Sequence, residues 1–333
     1  MKRSMCFMAA LSCWTAGSAY AATRGAYYGE TGFGDTISRL NVDSDITAAT
    51  NENLVSIPTG DPRGLAIDHT NLKVYYANGN AIWSANLDGS GQALVTATVG
   101  GPGDVEIDSA NGKVYFSTDS GTVADRRIWS VNTNGTGLTT IHDASTLAIS
   151  NPLDTTITTN DIANLSLDLT NGLLYWTADN GANGGRIALN SSALAGGAAT
   201  QHFVASGRPT AINKMDIDFD TGTVYYTVGS DTNEVRSSTL AGTSVTTLYD
   251  STDGIGRPAA IALDPDSDDL FFSVGGTMYQ GSTDGLTALS SKSISGSGLF
   301  NIADIEIAVP EPSSLVLLGL GGLILAQRRR DTR

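Results

Sequence analysis

The chain has 333 residues, with 34 Asp and Glu against 19 Lys and Arg, and a net charge of −15. This acidic balance argues against a nucleic-acid partner, because a phosphate backbone requires a basic binding surface. Hydrophobic residues make up 41% and charged residues 16%. That composition excludes wholesale disorder and is sufficient for a large core.

Residues 1–21 have the pattern of a signal peptide. Lys2 and Arg3 precede a largely apolar stretch, and the small residues of Ala19–Ala21 predict cleavage by signal peptidase after the third of them. The residues that follow would then be exported across the inner membrane.

Both cysteines, Cys6 and Cys13, lie inside this leader. A lipoprotein leader cleaved before Cys13 is the alternative, although Ala10 stands where such a leader needs leucine. After signal-peptidase cleavage the chain has no cysteine, so disulfides and thiolate metal sites are both excluded, even in an oxidising compartment.

One pattern recurs five times in the middle of the chain: an apolar-x-apolar-Asp segment, a short polar turn and an aromatic pair. The aromatic pair follows the aspartate by seven and eight residues in every copy. Successive aspartates are 40, 60, 50 and 46 residues apart, which is the spacing of propeller blades. These repeat aspartates are Asp68, Asp108, Asp168, Asp218 and Asp264.

Each copy predicts a β-hairpin, because the first segment alternates with the period of a half-buried strand and the second carries aromatic residues. The aspartates are interpreted as turn caps, since one recurs in nearly every blade and an active site would not. Third strands over 82–90, 128–136, 235–243 and 278–285, each followed by a short fourth strand, predict four-stranded blades.

The two ends of the body supply a sixth blade. Residues 304–308 match a first strand, and segments 26–28, 36–44 and 53–58 supply the other three. We therefore predict an all-β, six-bladed propeller of four-stranded antiparallel blades over 24–309, whose last blade is closed by N-terminal strands and a C-terminal strand.

The repeats resemble those of YWTD propellers of the low-density-lipoprotein-receptor type. Residues 174–179 read LYWTAD, 115–119 read YFSTD, and 87–90 read LDGS, a third-strand turn of that family. The resemblance implies the propeller fold. In animal receptors such propellers mainly bind proteins or release ligands, and fold alone does not determine function.

The sequence predicts no catalytic residues. His69, His142 and His202 fall at different phases of the repeat, and no nucleophile elbow, zinc-protease helix or phosphate loop occurs. Asp264, Asp266 and Asp268 resemble the beginning of a Ca²⁺ loop, but its sixth and twelfth positions lack the required Gly and Glu. The pattern therefore favours a solvated turn over a Ca²⁺ site, and no other cofactor is indicated.

Three arginines precede first strands at equivalent blade-to-blade connections: Arg63, Arg208 and Arg257. They predict a cationic rim at one mouth of the channel, suited to an acidic polysaccharide or to acidic side chains of a surface protein. The alternative is that each arginine pairs with a carboxylate or carbonyl of a neighbouring blade. An insertion over 143–160 lies in a connection of the same kind, and either belongs to this surface or is merely tolerated there.

Residues 310–333 form a distinct tail. It combines Pro310-Glu311-Pro312, an apolar run over 315–326 and the cluster Arg328-Arg329-Arg330. This tail resembles the PEP-CTERM sorting signal of Gram-negative bacteria, which implies processing by an exosortase and delivery to the cell surface or matrix, often with exopolysaccharide. The run is short for a transmembrane helix but could insert transiently, with the arginines on the cytoplasmic side. A plain C-terminal membrane anchor is the alternative.

Without the leader and the tail, the body keeps 13 basic and 32 acidic residues, a net charge near −19. The sequence thus predicts an exported surface or matrix propeller that acts as a non-catalytic binding or scaffolding module. One alternative is a hydrolase or lactonase at the channel face that depends on a divalent metal. Another is a purely structural matrix component.

Overall fold

The repeats fold into six antiparallel sheets whose first strands contact one another in ring order. This confirms the predicted all-β, six-bladed propeller. The computed structural model describes residues 24–308 except for 32–35, 43–44, 58–59, 99, 120–125, 148, 151–160, 180–186, 206–211, 230–231, 265 and 295–300. The predicted leader, the sorting tail with Pro310, Glu311, Pro312 and its arginines, and Arg208 lie outside these residues.

The strands are numbered in chain order, and the blades I to VI in the order of the five repeats followed by the closing blade. The first three strands, all of blade VI, are β1 (Gly25–Thr31), β2 (Thr36–Asn41) and β3 (Thr50–Ser56). Blade I contains β4 (Pro62–Asp68), β5 (Lys73–Asn78), β6 (Ala81–Asn86) and β7 (Ala93–Ala97). Blade II contains β8 (Gly101–Asp108), β9 (Lys113–Asp119), β10 (Arg127–Asn132) and β11 (Thr139–Asp143).

Blade III has a fifth strand that the repeat pattern did not predict. It contains β12 (Ile149–Ser150), β13 (Asp161–Asp168), β14 (Leu173–Asp179), β15 (Ile187–Ala193) and β16 (Ala199–Ala205). β12 belongs to the insertion after blade II and pairs in parallel with the outer edge of β16. The insertion is therefore joined to the blade that follows it, in the part that the structure describes.

The remaining blades have four strands each. Blade IV contains β17 (Ile212–Asp218), β18 (Thr223–Val228), β19 (Glu234–Thr239) and β20 (Thr246–Tyr249). Blade V contains β21 (Pro258–Asp264), β22 (Asp269–Val274), β23 (Thr277–Ser282) and β24 (Ser290–Ser293), and β25 (Asn301–Ala308) returns to blade VI. Short 3₁₀ turns occur at Ile46–Ala48 and Ser251–Asp253.

The repeat aspartates cap the turns between first and second strands, as predicted. Asp68 accepts hydrogen bonds from the backbone N–H of Asn71 at 2.9 Å and from its side-chain amide at 2.8 Å. Blades II and III repeat this pair of contacts at equivalent positions. The aspartate therefore fixes the direction in which the second strand begins.

The Ser or Thr that follows the aromatic pair in blades II to V has a separate role. The first strands of blades I to V contain a register shift near their beginning, which interrupts the backbone ladder. Side-chain oxygens of Ser117, Thr227 and Ser273 accept N–H groups of this region, at 2.9 to 3.2 Å. The hydroxyl oxygen thus replaces the backbone carbonyl that the register shift takes away from these N–H groups.

The aromatic pairs form the packing between blades. Tyr76, Phe116, Trp176 and Phe272 are fully buried, and each belongs to one of six hydrophobic clusters, one for every interface between neighbouring blades. The core is therefore divided around the ring, and every blade depends on two neighbours for burial.

The ring closes as predicted, by pairing the two ends of the body. β1 pairs antiparallel with β25, from Gly25 opposite Ala308 to Thr31 opposite Asn301, and β2 and β3 continue the sheet. Tyr28 of β1 is completely buried in the cluster between blades V and VI. Strand pairing and aromatic burial together thus hold the closing blade.

Arg24, one residue before β1, adds an ionic contact to this closure. Its guanidinium donates to Asp264 at 2.7 Å and to Asp269 at 2.8 Å, both in blade V. The Arg24 side chain is 12% exposed and that of Asp264 is fully buried. The repeat aspartate of blade V, which the sequence grouped with Asp266 and Asp268 as a weak Ca²⁺ candidate, is instead neutralised by an arginine.

Replacing Arg24 with Met should lower the free energy of unfolding by about 3 kcal/mol, because the Asp264 carboxylate stays buried without its counter-charge. Urea denaturation measures the change. Asp264→Asn should restore part of the loss in the Arg24→Met background, and Lys292→Met, at a partly exposed lysine of blade V, should have little effect. Equal stability of wild type and Arg24→Met would contradict this role.

Candidate functional site

The propeller has two distinct faces. First strands run from the face that carries the blade-to-blade connections, here called the connection face, to the face that carries the hairpin turns after first and third strands, here called the turn face. β25 ends on the turn face at Ala308, beside Gly25. The first residue of β1 and the last residue of β25 therefore both lie at the turn face.

Two of the three predicted arginines lie at the connection face. Arg63 is the second residue of β4 and Arg257 immediately precedes β21, and both are exposed. No ion pair joins either of them to another residue in the described part of the chain. Because Arg208 is not described, the structure places two arginines of the proposed rim and leaves the third a prediction.

The first strands alternate in charge around the ring. The two positions concerned are four and two residues before the repeat aspartate, or before Ala308 in blade VI, and the charged side chains at these positions meet in the channel. Blades I, III and V place small or uncharged residues there, namely Gly64, Ala66, Asn164, Ser166, Ala260 and Ala262. Blades II, IV and VI place charged ones, namely Asp104, Glu106, Lys214, Asp216, Asp304 and Glu306.

Lys214 of blade IV crosses the channel to both other charged blades. Its Nζ lies 2.6 Å from Asp104 of blade II and 3.0 Å from Asp304 of blade VI. Burial alone would lower the pKa of Lys214, but the charges and hydrogen bonds of the two carboxylates outweigh burial and raise it. A charged lysine thus joins three alternate blades at the axis.

The same aspartates also join neighbouring blades. Asp304 accepts the backbone N–H of Leu65 in blade I at 2.9 Å, and Asp104 accepts that of Leu165 in blade III at 2.6 Å. In blade IV, Asp216 takes this role toward blade V, accepting from Leu263 at 2.8 Å. Each charged blade is therefore hydrogen-bonded through an aspartate to the uncharged blade that follows it.

A second layer of carboxyl groups lies closer to the turn face. Burial, then the charges of Asp104 and Asp216, raise the pKa of Glu106 well above its usual value. Burial, then the charge of Glu106, does the same for the pKa of Glu306. Burial raises the pKa of Asp304 to about 7, although Lys214 opposes the shift. Burial and neighbouring like charges therefore favour the protonated forms.

His142 and His202 each contact a different serine. His142 is buried in the outermost strand of blade II, where its ring nitrogen lies 2.6 Å from Ser192 Oγ, and burial lowers its pKa to about 4. His202 contacts Ser191 Oγ at 2.7 Å in blade III. Among the described residues, no three His, Cys, Asp or Glu side chains are arranged to hold a metal ion.

The ionic network of the channel was missed at the sequence level, although a signal exists. When the repeats are aligned on their aspartates, charged residues occur four and two positions earlier in alternate copies. No single copy of the repeat shows this alternation, because the ion pairs of Lys214 join blades that are not adjacent.

Residues 308–330 match the family described as the PEP-CTERM protein-sorting motif. The chain carries this sorting motif. This match confirms the predicted sorting signal. The motif implies export to the cell surface, with processing by an exosortase while the protein is anchored in the membrane. No curated protein matches the chain.

Solved structures confirm the propeller-type body at the level of fold. A chain of the crystal structure of a nidogen/laminin complex is similar with a TM-score of 0.68 and 16% identity, over 87% of this chain and 100% of that one. TolB from Acinetobacter baumannii is similar with a TM-score of 0.60 and 12% identity, over 85% of this chain and 66% of that one. At these identities the likeness shows the fold alone.

The described residues include no helix long and apolar enough to cross a membrane. The predicted apolar run over 315–326 is not among them.

Lys214→Met should lower the free energy of unfolding by about 3–5 kcal/mol at neutral pH, because it leaves Asp104 and Asp304 facing each other in the channel. The loss should be smaller at about pH 5, where Asp304 takes up a proton. Denaturant titrations at both pH values measure this difference. Lys73→Met, on the turn face, is the matched control, and an equal loss in that variant would contradict the special role of Lys214.

Glu106→Gln and Glu306→Gln should each stabilise the fold at about pH 8. The wild-type carboxyls have raised pKa values in the folded chain, so their stabilising effect is complete below the unfolded pKa and is lost as the pH rises through the folded one. The advantage of the glutamine variants over wild type should therefore shrink as the pH falls to about 5. The lowered pKa of His142 makes the fold less stable as the pH falls, but it does so equally in wild type and in the variants. Differences in melting temperature between variant and wild type at each pH therefore exclude this contribution.

Proposed function

We propose that this exported surface protein is a non-catalytic binding module whose connection face takes an acidic polysaccharide. The observation that carries the proposal is the exposure of Arg63 and Arg257 on the face opposite the exit of the sorting tail. Export of the propeller with its sorting motif supports a ligand at the cell surface.

The charge distribution confines such binding to the arginines of the connection face. The body is strongly acidic overall, so an anionic polymer is repelled except where arginines are concentrated. Guanidinium groups hold carboxylates through two parallel hydrogen bonds, a geometry that lysine does not provide. We therefore expect binding that weakens with added salt.

The channel favours a second candidate, a hydrolase or lactonase that depends on a divalent metal. Five carboxyl groups meet in the channel with Lys214 as the counter-charge. Such chemistry would require a divalent ion to displace or accompany the lysine, because both Asp104 and Asp304 are already engaged by it. The channel thus contains the carboxylates that a divalent ion would need, but two of them are paired with Lys214.

The double variant Arg63→Ala/Arg257→Ala should lose most of its binding to an anionic glycan such as alginate, measured on a glycan array and by calorimetry. Lys73→Ala/Lys113→Ala is the matched control, since it removes the same charge from the turn face. Equal loss in both variants would show a general charge effect, and unchanged binding in both would eliminate the arginine site.

A thermal-shift titration with Ca²⁺ separates the two candidates. A binding module without a metal should keep its melting temperature as Ca²⁺ is added, and Glu106→Gln should not alter that result. A Ca²⁺-dependent increase that Glu106→Gln abolishes would favour the metal-dependent alternative.

A further inference from the structure

The sorting motif begins without a spacer on the turn face. Its match begins at Ala308, the last residue of β25. Only residues 309–314 separate this strand from the apolar run over 315–326. Six extended residues reach about 20 Å at most. While the tail is anchored, the turn face is therefore held close to the lipid headgroups.

The turn face also carries exposed apolar side chains on five consecutive blades. All the exposed large apolar side chains among the described residues lie in its loops or at the turn-face end of a strand, and they are 42% to 85% exposed. They are Leu72 and Leu94 in blade I, Leu138 in blade II, Leu169 in blade III, Val245 in blade IV and Leu286 in blade V. These side chains thus lie on the five other blades of the face at which β25 of blade VI ends and the sorting motif begins.

Leu72 is held in a conformation that does not suit leucine. Its φ is 53°, and the equivalent position is glycine in blades II, III and IV, at Gly112, Gly172 and Gly222. A left-handed leucine is sterically disfavoured, and this one is 46% exposed. The turn is therefore strained, as it also is at the equivalent Asp268 of blade V, where φ is 54°. About half of the leucine side chain stays exposed, so it is free to make an apolar contact outside the chain.

We propose that the turn face rests on the membrane surface during the anchored stage, with these leucines and the valine in the headgroup region. The inference depends on the export through the tail that the proposed function includes. Weak contacts are sufficient because the tail supplies a high effective concentration. Asp88, Asp220, Asp266, Asp268 and Asp284 are exposed on the same face, so zwitterionic lipid is the favoured surface and anionic lipid repels it.

The test places one environment-sensitive fluorophore on either face of the full chain. Cys6→Ser and Cys13→Ser remove the native thiols, and a cysteine is introduced by Leu286→Cys on the turn face or Asn80→Cys on the connection face. A C-terminal hexahistidine tag attaches either protein to phosphatidylcholine vesicles that contain nickel-chelating lipid and a spin-labelled quencher lipid. The Leu286→Cys probe should show blue-shifted emission and lipid quenching, and the Asn80→Cys probe should show neither.

Leu72→Gly separates a role in folding from a role in lipid contact, because it should increase stability and decrease lipid contact. It should raise the melting temperature by relieving the left-handed leucine, and it should reduce quenching of the Leu286→Cys probe. A role confined to folding would leave the quenching unchanged. Replacing part of the phosphatidylcholine with anionic lipid should also reduce the quenching at low salt, and added salt should restore it.

Equal quenching of the two probes, or stronger quenching at Asn80→Cys, would overturn the proposal. So would a blue shift at Leu286→Cys that occurs without vesicles, because it would indicate contact with a second protein chain. Flotation of the untagged chain with vesicles tests the anchoring by the tail separately. Failure of flotation would contradict the anchored stage, whereas the tagged experiment still decides which face contacts lipid.

Discussion

The pairing of β1 with β25 is the contact on which the rest of the structure depends. A propeller without this pairing would expose two strand edges and divide the cluster around Tyr28. The body contains no cysteine after residue 21, so no disulfide can replace the pairing. The same contact places Gly25 beside Ala308, the first residue of the sorting motif, at the turn face.

Inside the ring, ion pairs and hydrogen bonds hold the first strands together where apolar side chains do not fill the channel. First strands in a ring of six leave a channel, and Gly64 and Ala260 add little volume to it. Lys214 spans this space because two carboxylates compensate for its burial, and those carboxylates also satisfy backbone N–H groups of the next blades. Glu106 and Glu306 lack a comparable cation, which is why their protonated forms are favoured.

The repeats made most of the fold predictable, because each hairpin is a local unit with its own turn cap. The closing blade was also predictable, since residues 304–308 match a first strand. Contacts between distant copies were not. Lys214 and Asp104 are 110 residues apart, and they meet only because six blades place alternate first strands across one channel. Arg24 was missed for a similar reason: its partners Asp264 and Asp269 are about 240 residues away along the chain, and only closure brings them together.

Closure also separates the proposed glycan-binding surface from the proposed membrane-facing surface. β25 has eight residues, so the connection face lies about 25 Å above the turn face at roughly 3.3 Å per residue. Arg63 and Arg257 would then be beyond two Debye lengths from a membrane at physiological salt. An anionic polymer could reach them without competing with lipid, and the acidic body between the two faces would direct that polymer to the arginines. The strand that carries the sorting signal thus also determines how far the presented surface lies from the membrane.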